Sequence, residues 1–369
     1  MCICIPFVMF YRCCVYVCSC CFRNRDPPVT HFASSLEGLE EGSGGWYRDA
    51  RKSYVCVRDT FYIFLFHRLQ NDLDLTHVRA FVHKLTQAMT NEGQVPWRFQ
   101  RKWLGENKPV YKSNDVRVID ANMQFIIMSW WLFEVQPETA KTLYLYCQRA
   151  WQWLDIHIAN DSVHERIGAS WEHSRQHEGT LLLSNVQLIH TIRCMELIHT
   201  VEKDQRKQKQ FTQRHARAVS TWTPEIYKTQ ETLPRILAVC FNIVPRSFIK
   251  SFNQEMKPTW IPCRLPGPVP NRPTRDAWVY GYGDKHDTLI WPWIGFLWMV
   301  VLHTTNHKDI ASKWWTSYMD FHKSQNLYDI YSADTRKPVR RAFLKGHAQH
   351  ALTTAAYLTA KETHIDDLI

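Results

Sequence analysis

The sequence has no run of the roughly 18 apolar residues that a membrane-spanning helix needs. Its longest internal stretch, Leu289 to Leu302, covers 14 positions and contains Pro292, so it reads as a buried core helix. A Gly-x-Ser-x-Gly elbow is missing, and the glycines from Gly42 to Gly45 have no following Lys-Ser/Thr. Those absences leave a serine or cysteine nucleophile without local support and exclude a P-loop. Paired cysteine spacing is absent from the body of the chain, where Cys56, Cys147, Cys194, Cys240 and Cys263 are scattered. Such usage predicts a reduced, intracellular protein rather than a disulfide-stapled one. His164-Glu165 is not followed by a histidine at metalloprotease spacing, and His173 and His177 beside Glu172 and Glu178 read as a surface cluster rather than a zinc site. No block of one charge sign stands out either. The 45 Lys+Arg and 35 Asp+Glu leave a net charge of +10 but are interleaved along the whole chain, which argues against a nucleic-acid footprint.

What is present is apolar material for a large core: 45% of the 369 residues are hydrophobic and 13% aromatic. Residues 1–45 stand apart. Seven of the 12 cysteines fall in the first 21 residues. Met1 to Phe22 is apolar but is broken by Pro6 and Arg12, and it lacks the basic start and small-residue cleavage pattern of a signal peptide. Two readings stay open: a leader with no packed structure, or a lipidated, membrane-apposed anchor next to Arg23 and Arg25. A tight zinc cluster is disfavoured, because its ligands lack an intervening loop. Asp26 to Gly45 is a linker rich in Pro, Ser, Glu and Gly, and residues 46–369 are expected to form one domain.

Within that domain, apolar residues recur at helical spacing in segment after segment, as in Val78, Phe81, Val82, Leu85, Met89 and in Met123, Ile126, Ile127, Trp130, Trp131. No comparable alternating strand pattern appears, so the chain is predicted to be all-α. The helices are of two kinds. Those over 78–89, 140–157 and 309–323 have a narrow apolar stripe, whereas those over 122–134, 181–199, 290–302 and 347–360 are apolar on most of their surface. The two kinds tend to alternate. A helix apolar nearly all round must be covered on several sides, and a striped one covers others while facing water. An inner ring wrapped by an outer ring meets both demands. Val201 to Ala218, charged and basic but without an aromatic platform interleaved with the charge, reads as a solvated helix rather than a phosphate-contacting face. Lys257 to Arg275, with six prolines, reads as a surface excursion.

Polar groups flanked by aromatics precede several of the broadly apolar helices: Arg58 and Asp59, Asp120, Trp171 and Glu172, His286 and Asp287 before Trp291, and Asp329. A ring of parallel inner helices gathers them at a single mouth. Each has a plainer explanation beside the functional one. Asp120 stands where an N-cap is wanted, and Asp329 stands where a turn residue is wanted.

Read together, the segments resemble the six-hairpin (α/α)6 glycosidases, especially the amylo-α-1,6-glucosidase-like and neutral-invertase-like groups. The resemblance rests on VIDANMQFIIMSWW (Val118 to Trp131), KHDTLIWPWIG (Lys285 to Gly295) and NLYDIY (Asn326 to Tyr331). It extends to Arg58-Asp59, to GQVPW (Gly93 to Trp97) and to the tryptophan-acid stretch of Ala169 to Asn185, in family order from about residue 54 to 362. It implies an (α/α)6 toroid hydrolysing a glycosidic bond without metal or organic cofactor. Asp120 is then the general acid and Asp329 the general base, and Arg58, Asp59, Trp97, Gln124, Trp171, Glu172, His286, Asp287 and Trp291 hold the sugar. An acid at a helix start must keep its proton against the helix dipole, which calls for burial against aromatics such as Trp130 or for a neighbouring carboxylate. The implied substrate is an α-glucoside-type oligosaccharide and the implied outcome inversion. Departures from the pattern also stand in the sequence. Asp329 replaces the usual Glu, and Asp287 and Thr288 replace Asn and Gly. They keep open a non-catalytic carbohydrate-binding relative, and a membrane-tethered helical scaffold is a third reading. Oligomeric state is not encoded in any of these features.

Overall fold

The computed structural model describes residues 54–71, 73–101, 107–111, 119–164, 180–229, 232–255, 289–290, 292–322, 331–332, 340–341, 344–345 and 351–365. Among them, five helices are buried along most of their length, α1 (Val57–Leu69), α3 (Ile119–Val135), α5 (Leu182–Val201), α7 (Thr232–Cys240) and α9 (Pro292–Thr304), and a sixth, α11 (Ala351–Ile365), buries Leu352, Thr353, Ala356, Thr359, Ala360 and Thr363. Five others alternate with them along the chain: α2 (Leu75–Ala88), α4 (Ala140–Asp155), α6 (Gln205–Lys228), α8 (Phe248–Glu255) and α10 (Lys308–His322).

Burial follows the two sequence patterns. In α3 every residue from Ile119 to Ser129 is buried, and in α9 every residue from Pro292 to Leu302. By contrast, α2 buries Val78, Phe81, Val82 and Leu85 on one stripe, together with Thr86 and Ala88 near its end, and α6 buries Phe211, Ala218 and Ile226 alone. Contacts run α1 to α3, α3 to α5, α5 to α7, α7 to α9, α9 to α11 and α11 back to α1, which closes the ring. The helices over 292–304 and 351–365 are the segments expected at 290–302 and 347–360, displaced by a few residues.

Side-chain bonds fix the direction of the inner helices. Arg58 and Asp120 join the starts of α1 and α3, while Arg68 and Glu134 join their ends. Gln70, just past α1, donates to the Thr359 carbonyl and the Thr363 hydroxyl near the end of α11. The inner helices are therefore parallel, and each outer helix runs back. The reversal after an inner helix is made by a residue in the left-handed region: Asn71 (φ 60°), Lys203 (φ 60°), Asn242 (φ 55°) and Asn306 (φ 65°). Asparagine enters that region at lower cost than most side chains, and in doing so ends the helix cleanly.

Short antiparallel strands that no sequence alternation announced sit before the inner helices. Three of them form a sheet: β1 (Tyr54–Cys56), β2 (Arg98–Arg101) and β3 (Asn107–Val110), with Tyr54 opposite Gln100 and Arg98 opposite Val110. The rest are two-residue pairs. β4 (Ile158–Ala159) and β5 (Ser162–Val163) flank Asn160 and Asp161, both at positive φ, and β6 (Leu289–Ile290) pairs with β7 (Tyr331–Ser332). A further pair, β8 (Arg340–Arg341) and β9 (Leu344–Lys345), precedes α11. These strands crown the end of the ring where the inner helices begin.

Candidate functional site

Two buried asparagines shape the crowned mouth. Asn122, on the first turn of α3, accepts from the Val95 N–H at 3.0 Å and donates to the carbonyls of Gly93 (2.9 Å) and Ala150 (3.0 Å). It pins the Gly93 to Trp97 loop to α3 and α4. Asn185, in the same place on α5, accepts from Val163 N–H at 2.8 Å and donates to the carbonyls of Val163 (3.2 Å) and Leu181 (2.8 Å). Gly93 takes φ +95°, and a Cβ there would stand 2.1 Å from the Arg149 carbonyl oxygen, so only glycine lets the loop lie this close to α4. The loop in turn delivers the Trp97 carbonyl to the Val57 N–H at 3.0 Å, at the start of α1.

That placement presents Arg58 and Asp120 to each other. The Arg58 Nε donates to Asp120 Oδ2 at 2.5 Å, and both side chains are almost fully enclosed, at 10% and 6% exposure. Burial opposes the guanidinium charge, but the adjacent Asp120 outweighs it and holds the Arg58 pKa above its ordinary value. Asp120 thus lies inside the first turn of α3 with Oδ2 committed to arginine rather than acting as the helix cap. Its Oδ1 is buried with no hydrogen-bond partner among the described residues.

One turn further in, Tyr62 lies below Arg58 and Gln124 below Asp120, each at i+4 on the same helix face. Gln187 Nε2 of α5 donates to the Tyr62 hydroxyl at 3.2 Å. The Tyr62 ring packs on Trp293 of α9, centroids 4.9 Å apart, and burial pushes its phenol pKa up. Gln124 Nε2 and Oε1 and Gln187 Oε1 are buried and unbonded among the described residues. At and below the Arg58–Asp120 pair, three oxygens and the amide N–H of Gln124 are thus without hydrogen-bond partners among the described residues, contributed by three residues on two helices. Leaving such groups dry and unmatched costs about 1–3 kcal/mol each.

Of the residues expected at the site, Arg58, Asp120 and Gln124 come together here, and Asp59 and Trp97 are partly buried beside them in chain position. The Trp97 ring is covered by the Arg98 guanidinium, 4.4 Å from its centroid. Trp130 does not stand near Asp120. It lines a cavity at the far end of the ring with Arg68, because ten helical residues carry it roughly 15 Å along α3. Tyr62 and Trp293 are fully buried beneath the pair. Trp171, Glu172, His286, Asp287, Trp291 and Asp329 lie outside the described residues, as do the His173/His177 cluster and the Lys257 to Arg275 segment. The pairing of Ile290 with Tyr331 sets the backbone two residues beyond Asp329 against the strand that leads into α9.

Neither a family model nor a curated protein sequence matches the chain. Solved structures do. The GH63 mannosylglycerate hydrolase from Thermus thermophilus, in complex with glucose, is similar with a TM-score of 0.59 at 12% identity, over 91% of this chain and 100% of that one. A rhamnosidase from Klebsiella oxytoca with rhamnose bound gives 0.59 at 12% identity, over 92% of this chain and 65% of that one. A wild-type glycosidase gives 0.57 at 13% identity, over 91% and 96%. The chain has the (α/α)6 toroid of the six-hairpin glycosidases.

Proposed function

We propose that this protein is a glycoside hydrolase whose sugar ring sits in the crowned mouth, over Arg58, Asp120, Gln124 and Gln187. The observation that carries the reading is the set of buried polar atoms there without hydrogen-bond partners among the described residues, Asp120 Oδ1 foremost. A pyranose presents hydroxyls that both donate and accept, in a ring small enough to meet all of them. The solved structures of like fold are described as glycosidases, two of the three above with a monosaccharide bound, and this supports the same choice.

Asp120 is proposed as general acid, acting through Oδ1, the oxygen that Arg58 leaves open. Arg58 fixes the carboxyl plane through Oδ2, so that Oδ1 is aimed rather than free to rotate. Protonating the glycosidic oxygen from a positioned carboxyl turns an alkoxide leaving group into an alcohol, while an ionised partner activates water from the opposite face. Asp329 is proposed for that partner. In an inverting pair the two carboxyls stand roughly 6.5–9.5 Å apart, which leaves room for the water. An α-glucoside-type oligosaccharide is the proposed substrate class.

The shortened base and the Asp287-Thr288 departure favour one competing reading, a binding protein that keeps the sugar site without turnover. Incubating the protein with a panel of α-glucosides, sucrose and trehalose separates the two. Release of reducing sugar by wild type that falls at least a hundredfold in Asp120→Asn supports the enzyme. Equal inertness of both, with sugar binding retained, establishes the binding protein.

A further inference from the structure

At the opposite end of the ring, where the inner helices finish, lies a cavity of about 1200 Å3. Arg68 of α1, Glu134 of α3, Arg193 of α5, Val239 of α7, Val301 of α9 and Thr363 of α11 line it, so every inner helix contributes. Arg68 is ten residues beyond Arg58 on α1, about 15 Å along the helix axis, and Tyr62 and Trp293 fill the bore between. The cavity is a separate site from the crowned mouth.

Its described lining is rich in basic residue types. Among the described residues, Arg68, Arg193, Arg246, His190, His215 and His303 line it with one acid, Glu134. Basic residues at helix C-termini are expected to answer the terminal carbonyls, and this accounts for Arg68 and His303, each in a last turn. It does not account for the others. His190 and Arg193 are in the middle of α5, His215 is in the middle of α6, and Arg246 lies in the connection between α7 and α8. Arg68 pairs with Glu134, and Arg193 pairs with Glu196 at 2.6 Å. Arg246 is exposed and has no acid partner among the described residues. His190 is stacked flat on Phe241, centroids 4.1 Å apart, with its Nδ1 shut off from water and unbonded. Burial first, then the nearby His215 and Arg193, push the His190 pKa down to about 3. The same neighbourhood keeps His215 below its ordinary value, chiefly through burial. Two imidazoles and the Arg246 guanidinium, which has no acid partner among the described residues, thus border the recess.

We infer that this rear cavity binds a small phosphorylated ligand, its phosphate held by Arg246 and Arg193 and hydrogen-bonded by His190 and His215. Cationic and hydrogen-bonding groups arrive from α5, from α6 and from the α7–α8 connection, that is, from several sides. A tetrahedral dianion offers oxygens in all those directions, whereas a planar carboxylate offers two. Asn242 and Thr304 at the rim, with Trp130 in the wall, suit a hydroxylated body attached to the phosphate. The site is recessed, which suits a small molecule better than a polymer backbone or a bilayer.

Titration calorimetry on the full chain tests this with a hexose 6-phosphate, the matching unphosphorylated hexose and inorganic pyrophosphate as probes. The hexose 6-phosphate is expected to bind wild type and Asp120→Asn alike, to resist displacement by excess free hexose, and to lose at least tenfold in affinity in Arg246→Gln. Arg246 is exposed, so that variant keeps its fold. His190→Phe, which keeps the stack on Phe241, is expected to lose affinity as well. Binding by pyrophosphate alone, with the same variant losses, also supports the site and places recognition in the phosphate. Absence of binding by either phosphate probe, or unchanged affinity in both Arg246→Gln and His190→Phe, overturns it.

Discussion

Arg58 Nε and Asp120 Oδ2, 62 positions apart in sequence, meet at 2.5 Å in a buried contact between the first turns of two parallel helices. Removing one partner strands the other charge in the interior, which typically costs about 3–5 kcal/mol. Arg58→Gln is therefore expected to lower the free energy of unfolding in urea by roughly that amount. Paired with Asp120→Asn in a double-mutant cycle, it should show a coupling of at least ~1 kcal/mol. Additive losses would mean that the two groups do not recognise each other.

The loop that seats this pair depends on Asn122 and Gly93. Asn122→Ala deletes three hydrogen bonds and leaves the Val95 N–H and two carbonyls unmatched, with an expected loss of about 2–4 kcal/mol. Gly93→Ala meets a backbone carbonyl that no rotamer change can move away and adds strain at φ +95°, so it should destabilise by well over ~1 kcal/mol. Thermal denaturation of the two variants checks both. Near-native melting of Gly93→Ala would show that the loop lies elsewhere.

Stability should also carry the mark of His190. Its folded-state pKa of about 3 lies below the ordinary value of 6.5, so in acid the unfolded chain takes up a proton that the native state refuses. The contribution of the neutral ring is complete above pH 6.5 and is lost progressively as the pH falls toward 3. His199, held to about 4 mainly by burial, acts in the same direction. His190→Phe should thus lose less stability than wild type between pH 7.5 and 5, as read from urea midpoints. Parallel pH profiles would contradict the assignment.

Much of this architecture is legible in the chain itself, and the exceptions have physical causes. The alternation of broadly apolar and striped helices encodes a ring within a ring, because burial on all sides is written directly into residue type. The crowning strands are two to four residues long, too short for a period of two to register, and they are set by backbone bonds such as Val57 N–H to Trp97 C=O. Arg58 and Asp120 stand out individually, but their direct contact depends on ring closure, which local patterns do not contain. Asn122 and Asn185 do not stand out, although each opens an Asn-x-Gln pair near the start of an apolar helix, which is the signal that could find them. Sequence proximity sets Trp130 beside Asp120, whereas the helical rise moves it to the far cavity.

The claim that most depends on this geometry is that Asp120 delivers a proton to the leaving group. Comparing wild type and Asp120→Asn on an oligosaccharide and on the corresponding glycosyl fluoride tests it directly, since fluoride departs without protonation. The expected result is a loss of roughly 10²–10⁴ in kcat/KM on the oligosaccharide and a far smaller loss on the fluoride. Equal losses on the two substrates, or none on either, would contradict the account.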